Sequence, residues 1–412
     1  MKLRRLRTRF DIKGWYQGIK DRGDLVAWCS AFAPVEALMA CGVTPVFPEN
    51  HAAMMGALSP KRDPNKPYAL SAIGMAEFVG YSYPSLCSYA LADIGSLIDH
   101  YASPIGGLPA PDLFYACDSQ CSVVGRWAAT MSQRAERYGE DLPYYVLKAP
   151  PLTKSESHSD AEIDTFEGEL RGHIKDIEAR YSVRFDEDRL AEIVAESTKA
   201  NDLWQACLGL ASRSPTPWSN IDAWQAMAPI VIARGTKQCT EFYAMLLAEL
   251  QQRTYHKVQA IPDERVRLMW DAIPIWPRKN WLSQFCAQRG AVFTASTYTH
   301  SWWFEFDPAE AMRSLCRRYA WNTMNRSGKW VLDWTLDLYR YYKCDGMICH
   351  WNRTCGIWNS YVKRRLKGYE AAGIPTLVIE ADMVDARYFD EQRVSADLDA
   401  FITSIVDNKV TS

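Results

Sequence analysis

The sequence predicts an α/β protein with two doubly wound parallel-sheet domains and a helical insert between them. Three observations carry this reading. Residues 1–154 alternate short apolar runs with helical patterns, residues 155–270 are helical in pattern for most of their length, and residues 271–412 alternate again. Strand and helix in succession favour a parallel sheet covered on both faces, and 412 residues suffice for two or three cores. In the first segment, Leu25–Cys29 and Val43–Phe47 read as buried strands. Pro34–Cys41 between them reads as a helix with proline in its first turn. Asp112–Cys117 and Tyr144–Lys148 are two further strands on either side of a helix near Ser122–Tyr138, and Ala149–Pro151 ends the pattern.

From Ser155 to about Arg253 the segments are long, charged and poor in β-branched runs, with a break at Ser212–Pro217. Asp186–Leu208 carries apolar residues at helical spacing with its acids first, as the helix dipole prefers. In the last segment Ala291–Ala295, Gly346–His350 and Thr376–Glu380 are predicted strands. Gly356–Ala372 is a basic amphipathic helix closed by Gly373 and Pro375, and Asp390 caps a final helix to about Val406.

Composition excludes several classes of function. The 47 basic and 49 acidic side chains leave a net charge of -2, so nothing drives the chain as a whole toward nucleic acid or an anionic membrane. No uncharged run exceeds 15 residues, and Phe78–Ala92, of that length, is broken by Gly80 and Pro84, short of the roughly 20 apolar residues of a membrane span. Basic residues crowd the first nine positions, but no apolar segment follows, so no signal peptide is expected and the protein is placed in the cytoplasm. Twelve cysteines in such a chain are expected to be reduced. Most free cysteines simply pack in cores. The 16 tryptophans and 21 tyrosines suit either a flat apolar ligand or a large subunit interface.

Three cysteines share one topological position. Cys87 stands ahead of the helical pattern beginning at Tyr89, Cys121 follows the strand Asp112–Cys117, and Cys355 follows the strand Gly346–His350 and precedes the basic helix. Each falls near a helix start at the carboxyl edge of a sheet, where open α/β sheets bind ligands and where a thiolate is favoured. Three thiolates could hold one [4Fe-4S] cluster and leave one iron open, since such clusters ordinarily take four cysteines. Buried inert thiols remain the plain alternative. Zinc is a weaker one: structural zinc usually takes two closely spaced cysteine pairs, and Cys117 with Cys121 is the candidate for one of them.

A resemblance now joins these pieces. Pro34-Val35-Glu36, Val43–Val46, Phe47–His51, Leu86-Cys87-Ser88-Tyr89 with Asp93-Ile94-Gly95, and Gly107–Asp112 carry its first half. Cys121 with Arg126-Trp127, Asp345–Ile348, Arg353-Thr354-Cys355, Gly373-Ile374-Pro375 and Glu380-Ala381-Asp382 carry the second. The chain resembles the 2-hydroxyacyl-CoA dehydratase and ATP-dependent benzoyl-CoA reductase family over nearly its whole length. Ala110-Pro111-Asp112 and Val384–Phe389 look most like the larger cluster-bearing subunit of class I benzoyl-CoA reductase. The resemblance implies a [4Fe-4S] cluster on Cys87, Cys121 and Cys355 in the cleft between the two α/β domains. It further implies a homologous cluster-bearing subunit and a separate ATP-hydrolysing iron-sulfur activator that delivers single electrons. The expected reaction is reduction of benzoyl-CoA to a cyclic dienoyl-CoA. The alternative is dehydration of an (R)-2-hydroxyacyl-CoA through a ketyl radical, and a non-catalytic electron-relay or scaffold subunit is an alternative of another class. No G-x-x-x-x-G-K-[ST] loop is present, in keeping with ATP being handled elsewhere. Arg126 stands where many relatives have lysine, and Cys117, Cys344 and Cys349 lie close enough in sequence to be alternative ligands.

Reduction of a thioester or ring raises its basicity, so a proton donor is required. Glu49 and His51 are candidates. The bland alternative is a structural turn in which Asn50 caps a helix His51–Leu58. Ser30 either approaches the open iron or caps a helix. Trp302 and Trp303 beside His300 line an acyl pocket or belong to the core, and Lys363–Lys367 meets the phosphates of coenzyme A or is a solvated face.

Overall fold

The computed structural model describes residues 5–61, 63–99, 103–151 and 157–411. The N-terminal sheet contains β1 (Val26–Cys29), β2 (Thr44–Val46), β3 (Leu113–Cys117) and β4 (Tyr144–Leu147), all parallel, in the order β2-β1-β3-β4. The C-terminal sheet contains β5 (Val266–Asp271), β6 (Ala291–Ser296), β7 (Gly346–Asn352) and β8 (Thr376–Ala381), again parallel, in the order β6-β5-β7-β8. The two sheets therefore repeat one topology. In each, the chain leaves the first strand toward one side, then returns to its other side, which makes a switch point between β1 and β3 and between β5 and β7. The long helices Asp160–Tyr181, Glu187–Gly209 and Lys237–Tyr255 lie between the sheets in sequence. No helix among the described residues is long and apolar enough to cross a membrane.

The predicted α/β class and the predicted strands are present, within a residue or two at their ends. One strand was not expected. β5 is fully buried and central to its sheet, yet Arg267 and Asp271 interrupt its apolar run. Arg267 is buried because Glu264 neutralises it and the carbonyls of Ala211, Arg213 and Tyr342 accept its remaining protons. β5 also runs across the expected 270/271 division, while the expected division at 154/155 lies outside the described residues. The capping role expected of Asn50 is corrected. The helix begins at Pro48 with Phe47 as its N-cap, so Asn50 lies inside the first turn. Proline at the first position favours that earlier start, because its missing N–H would have no partner there in any case.

The helix carrying Cys87 at its start, Ser88–Ile98, lies against Tyr68–Phe78 at a distance only glycine permits. A Cβ on Gly95 would stand 1.7 Å from the carbonyl oxygen of Ala72. Backbone cannot yield as a flexible side chain would. Gly95→Ala is expected to destabilise the chain by about 3 kcal/mol, the upper end for overpacking. The midpoint of chemical denaturation measures this, and a change within about 0.5 kcal/mol would show that the two helices can part freely.

Candidate functional site

Cys87, Cys121 and Cys355 are each the N-cap residue of a helix: Ser88–Ile98, Ser122–Arg137 and Gly356–Ala371. A helix start presents backbone amides with no partner of their own. The nearby amides, Tyr89 and Ala90 at Cys87, Val123 and Val124 at Cys121, and Trp358 at Cys355, favour the thiolate, although none makes a formal cap hydrogen bond to sulfur. Burial outweighs them and favours the protonated thiols. It pushes Cys87 up to about 12, Cys121 up to about 11, and Cys355 upward as well.

Exposure separates these three from the other cysteines. All twelve are free, nine are buried, and the three half-buried ones are Cys87, Cys121 and Cys355. All three line one cavity. The alternative positions do not line it. Cys117 is buried beside Ser119, Cys344 beside Thr294, and Cys349 beside Asp271.

The rest of the wall comes from three parts of the chain. Ala31, Phe32, Glu49 and Gln120 come from loops and helices around the N-terminal sheet. Trp224, Met227 and Val231 come from the helical segment, and Trp276, Tyr298, Trp302 and Trp358 from the C-terminal part. Trp302 stacks on Phe32 with ring centroids 4.7 Å apart, and Trp276 donates to Tyr89 Oη at 2.7 Å. Trp303, by contrast, is exposed and does not line the cavity. His300 is a buried structural group between Ser296 O and Tyr342 Oη, each 2.8 Å away, and burial holds it down at about 4.

Glu49 reaches this cavity and is tied to the cysteine loops. Its carboxylate accepts from the Ala31 amide at 2.9 Å and from the side-chain amide of Gln120, next to Cys121, at 2.8 Å. The other end of Gln120 accepts from the Phe32 amide at 3.0 Å. Burial pushes the Glu49 carboxyl up, against these two donors. His51 does not join it. Two residues along a helix is a rotation of about 200°, so His51 faces a second cavity behind the helix. There its Nε2 meets Ser103 Oγ at 2.8 Å, and burial holds the ring neutral, down at about 3. Ser30 does not line the site either. Its hydroxyl accepts from the Cys117 amide at 3.0 Å and its own amide donates to Tyr115 O, so it joins the ends of β1 and β3.

Two arginines fix the framework. Arg234, buried in the helical segment, donates to the carbonyls of Ala31 and Ala33 at 3.2 and 2.9 Å and pairs with buried Glu36 at 3.4 Å. Arg365 leaves the basic face expected for Lys363–Lys367. It is buried and pairs with Asp271 at 3.1 Å, whereas Lys363, Arg364 and Lys367 are exposed. Arg126 donates to Ser85 O at 2.9 Å, which ties the Cys121 helix to the segment before Cys87.

Gln120, Tyr89, Trp276 and Tyr298 escaped sequence reasoning. Gln120 had a signal, its position beside Cys121. Tyr89 had one too, two residues from Cys87, whereas Trp276 and Tyr298 had none, because only tertiary packing brings them to the wall.

Among the described residues no group of three or more His, Cys, Asp or Glu side chains is gathered closely enough to hold a single metal ion. A lone zinc ion would need its donors about 2.3 Å from one point. A cluster binds each thiolate to a different iron, so its ligands stand further apart. Three half-buried thiols lining one cavity, each at a helix start, fit the larger group. Paired switch-point sheets whose loops and helices together line one aromatic-walled cavity carrying three half-buried thiols define the class of α/β protein to which this chain belongs.

Comparison with known proteins places the chain within a family. Residues 30–405 match the family model described as 2-hydroxyglutaryl-CoA dehydratase, D-component, and the chain belongs to that family. It is 28% identical over 378 residues to the (R)-2-hydroxyisocaproyl-CoA dehydratase alpha subunit of Clostridioides difficile, covering 90% of this chain and 87% of that protein. The (R)-phenyllactyl-CoA dehydratase alpha subunit of Clostridium sporogenes is 26% identical over 376 residues, with 90% and 87% covered. A benzoyl-CoA reductase subunit of Thauera aromatica is 27% identical over 357 residues, with 81% and 79% covered.

Proposed function

We propose that this chain is the substrate-binding subunit of an oxygen-sensitive, cytoplasmic enzyme that adds one electron to an acyl-CoA thioester, with a [4Fe-4S] cluster on Cys87, Cys121 and Cys355. The observation that carries the reading is the convergence of the three half-buried helix-start thiols on one aromatic-walled cavity. Bound there, the cluster supplies single electrons at low potential and an iron without a protein ligand. Relatives named as dehydratase alpha subunits make dehydration of an (R)-2-hydroxyacyl-CoA the first reading. The second is reduction of benzoyl-CoA, supported by the 27% identity to a reductase subunit and by the tryptophan walls, which suit a planar acyl group. That these relatives are each named as one subunit of an enzyme also supports a partner, for which a homologous cluster-bearing chain is our reading. An ATP-hydrolysing iron-sulfur activator completes the system.

The residues of the chain have defined tasks in either reaction. Phe32, Trp276 and Trp302 hold the acyl group and keep water out, which strengthens every electrostatic interaction inside. Glu49 holds a proton at the cavity wall, where reduction of the substrate creates a basic site. The Ala31 and Gln120 amides aim that carboxyl. Glu49→Gln sets a side-chain amide against the Gln120 amide and removes the proton carrier. Turnover per iron is expected to fall about 10²–10⁴-fold, the usual worth of a general acid or base, with iron content unchanged. An equal loss of iron would show that Glu49 serves the fold instead.

The test of function is a product assay on the anaerobic complex of this chain with its partner and activator, offered benzoyl-CoA and an aromatic (R)-2-hydroxyacyl-CoA in parallel. Formation of the unsaturated acyl-CoA from the hydroxyacyl substrate is the expected result. Formation of only the cyclic diene would establish the second reading, and turnover of neither would overturn both.

A further inference from the structure

Between the Cys87 and Cys355 loops lies a hydroxyl whose hydrogen bonds cross from one half of the chain to the other. Thr354 Oγ1 accepts from the backbone amide of Ser88 at 3.1 Å, and it lies 3.0 Å from Ser88 Oγ and 2.6 Å from Asp382 Oδ2. Ser88, Thr354 and Asp382 are all buried. A hydroxyl has one proton and two lone pairs. A carboxylate has no proton to give, so Thr354 donates to Asp382 and accepts both the amide and the hydroxyl of Ser88. All its capacity is used. Asp382 is fixed in turn, since its Oδ1 accepts from the amides of Val384 and Asp385 at 3.0 and 2.9 Å. Ser88 follows Cys87 in sequence, and Thr354 precedes Cys355.

The amides at the start of helix Ser88–Ile98 are thereby divided. Those of Tyr89 and Ala90 favour the Cys87 thiolate without a formal cap bond to it, while that of Ser88 is taken by Thr354. Hydrogen bonds to the sulfurs help to set the reduction potential of an iron-sulfur centre, because they stabilise the more negative, reduced state. An amide withheld from sulfur leaves the potential lower.

We propose that Thr354 is a positioning residue that fixes the spacing of the Cys87 and Cys355 loops and withholds the Ser88 amide from sulfur, so that the cluster works at a lower potential. This rests on the reading of the three cysteines as ligands. A second tie runs beside it. Arg387 donates both to Asp385, on the Asp382 loop, and to Glu77, in the helix Tyr68–Phe78. That pair is more exposed and does not touch the cysteine loops, so it holds the halves together without touching the amide at Cys87.

The experiment uses the full chain reconstituted anaerobically with iron and sulfide, as wild type, Thr354→Val and Thr354→Ser. Iron content, the midpoint potential from an EPR-monitored titration, and the melting temperature of the unloaded chain are read for each. Thr354→Val is expected to raise the midpoint potential and lower the melting temperature, and Thr354→Ser to restore both. Should Thr354→Val fail to hold iron, Asp382→Asn is read in its place, with an upward shift again expected because a neutral acceptor grips the hydroxyl less firmly. A wild-type potential in the iron-loaded valine variant, or in the asparagine variant where that one is read, would overturn the role of Thr354 alone. A wild-type chain that takes up no iron would instead defeat the ligand reading on which the role depends.

Discussion

Serine in place of Cys121 is expected to lower iron and acid-labile sulfide from about four of each per chain to near zero, with loss of turnover. The substitution suits this purpose because it is destructive for the metal and conservative for the helix. Cys121 is an N-cap, a position at which serine is among the preferred residues. The hydroxyl can accept from the amides of Val123 or Val124, which now favour the Cys121 thiolate. The helix Ser122–Arg137 is thus kept or slightly strengthened, while the soft thiolate that iron-sulfur clusters select is gone. The melting temperature of the unloaded chain should not fall, so loss of iron cannot be charged to unfolding. Cys117→Ser is the matched control. Cys117 lies four residues earlier, is buried, and does not line the cavity, and its replacement should leave iron unchanged. Iron lost with Cys117 and retained without Cys121 would reverse the assignment.

Arg234→Met is expected to destabilise the protein by about 3–5 kcal/mol, the cost of breaking a buried ion pair from one side. Glu36 would keep its hydrogen bonds from Ser197 at 3.0 Å and Tyr319 at 2.8 Å but lose its counter-charge. The carbonyls of Ala31, Ala33 and Val231 would lose their donor as well. Total stabilities run from about 5 to 15 kcal/mol, so this is a large share. Chemical denaturation of the unloaded chain measures it. Replacing both partners, as Arg234→Met with Glu36→Leu, should recover part of the loss, since an apolar pair of similar volume leaves no charge stranded. A single variant as stable as the wild type would show that water already reaches Glu36.

Much of this was legible in the sequence, for identifiable reasons. β1, β3 and β7 are nearly uninterrupted apolar runs, which is how strands buried on both faces read. The helix starts at Cys121 and Cys355 were legible because each follows a strand whose carboxyl edge the apolar run fixes, and that at Cys87 because a helical pattern begins just after it. What failed was whatever depends on rotation or on partners far away in sequence. Glu49 and His51 are two residues apart and look equivalent on paper, yet the helix beginning at Pro48 turns them to different cavities. Arg267 and Arg365 look solvated until their distant buried partners are seen, the carbonyls of Ala211 and Tyr342 for the first and Asp271 for the second. The contribution of Trp224 and Val231 to the cavity could not be read from a segment whose pattern is only that of helices.

The placement of the three thiols also fixes an order of events during biosynthesis. Cys87 and Cys121 become available early, but Cys355 follows Cys121 by 234 residues, after the whole helical segment and β5, β6 and β7. A nascent chain that has not yet released Cys355 from the ribosome has only two of the three thiols and no closed cavity around them. If the three thiols hold the proposed cluster, its insertion follows the synthesis of Cys355, and chains truncated before that residue should be poor traps for iron.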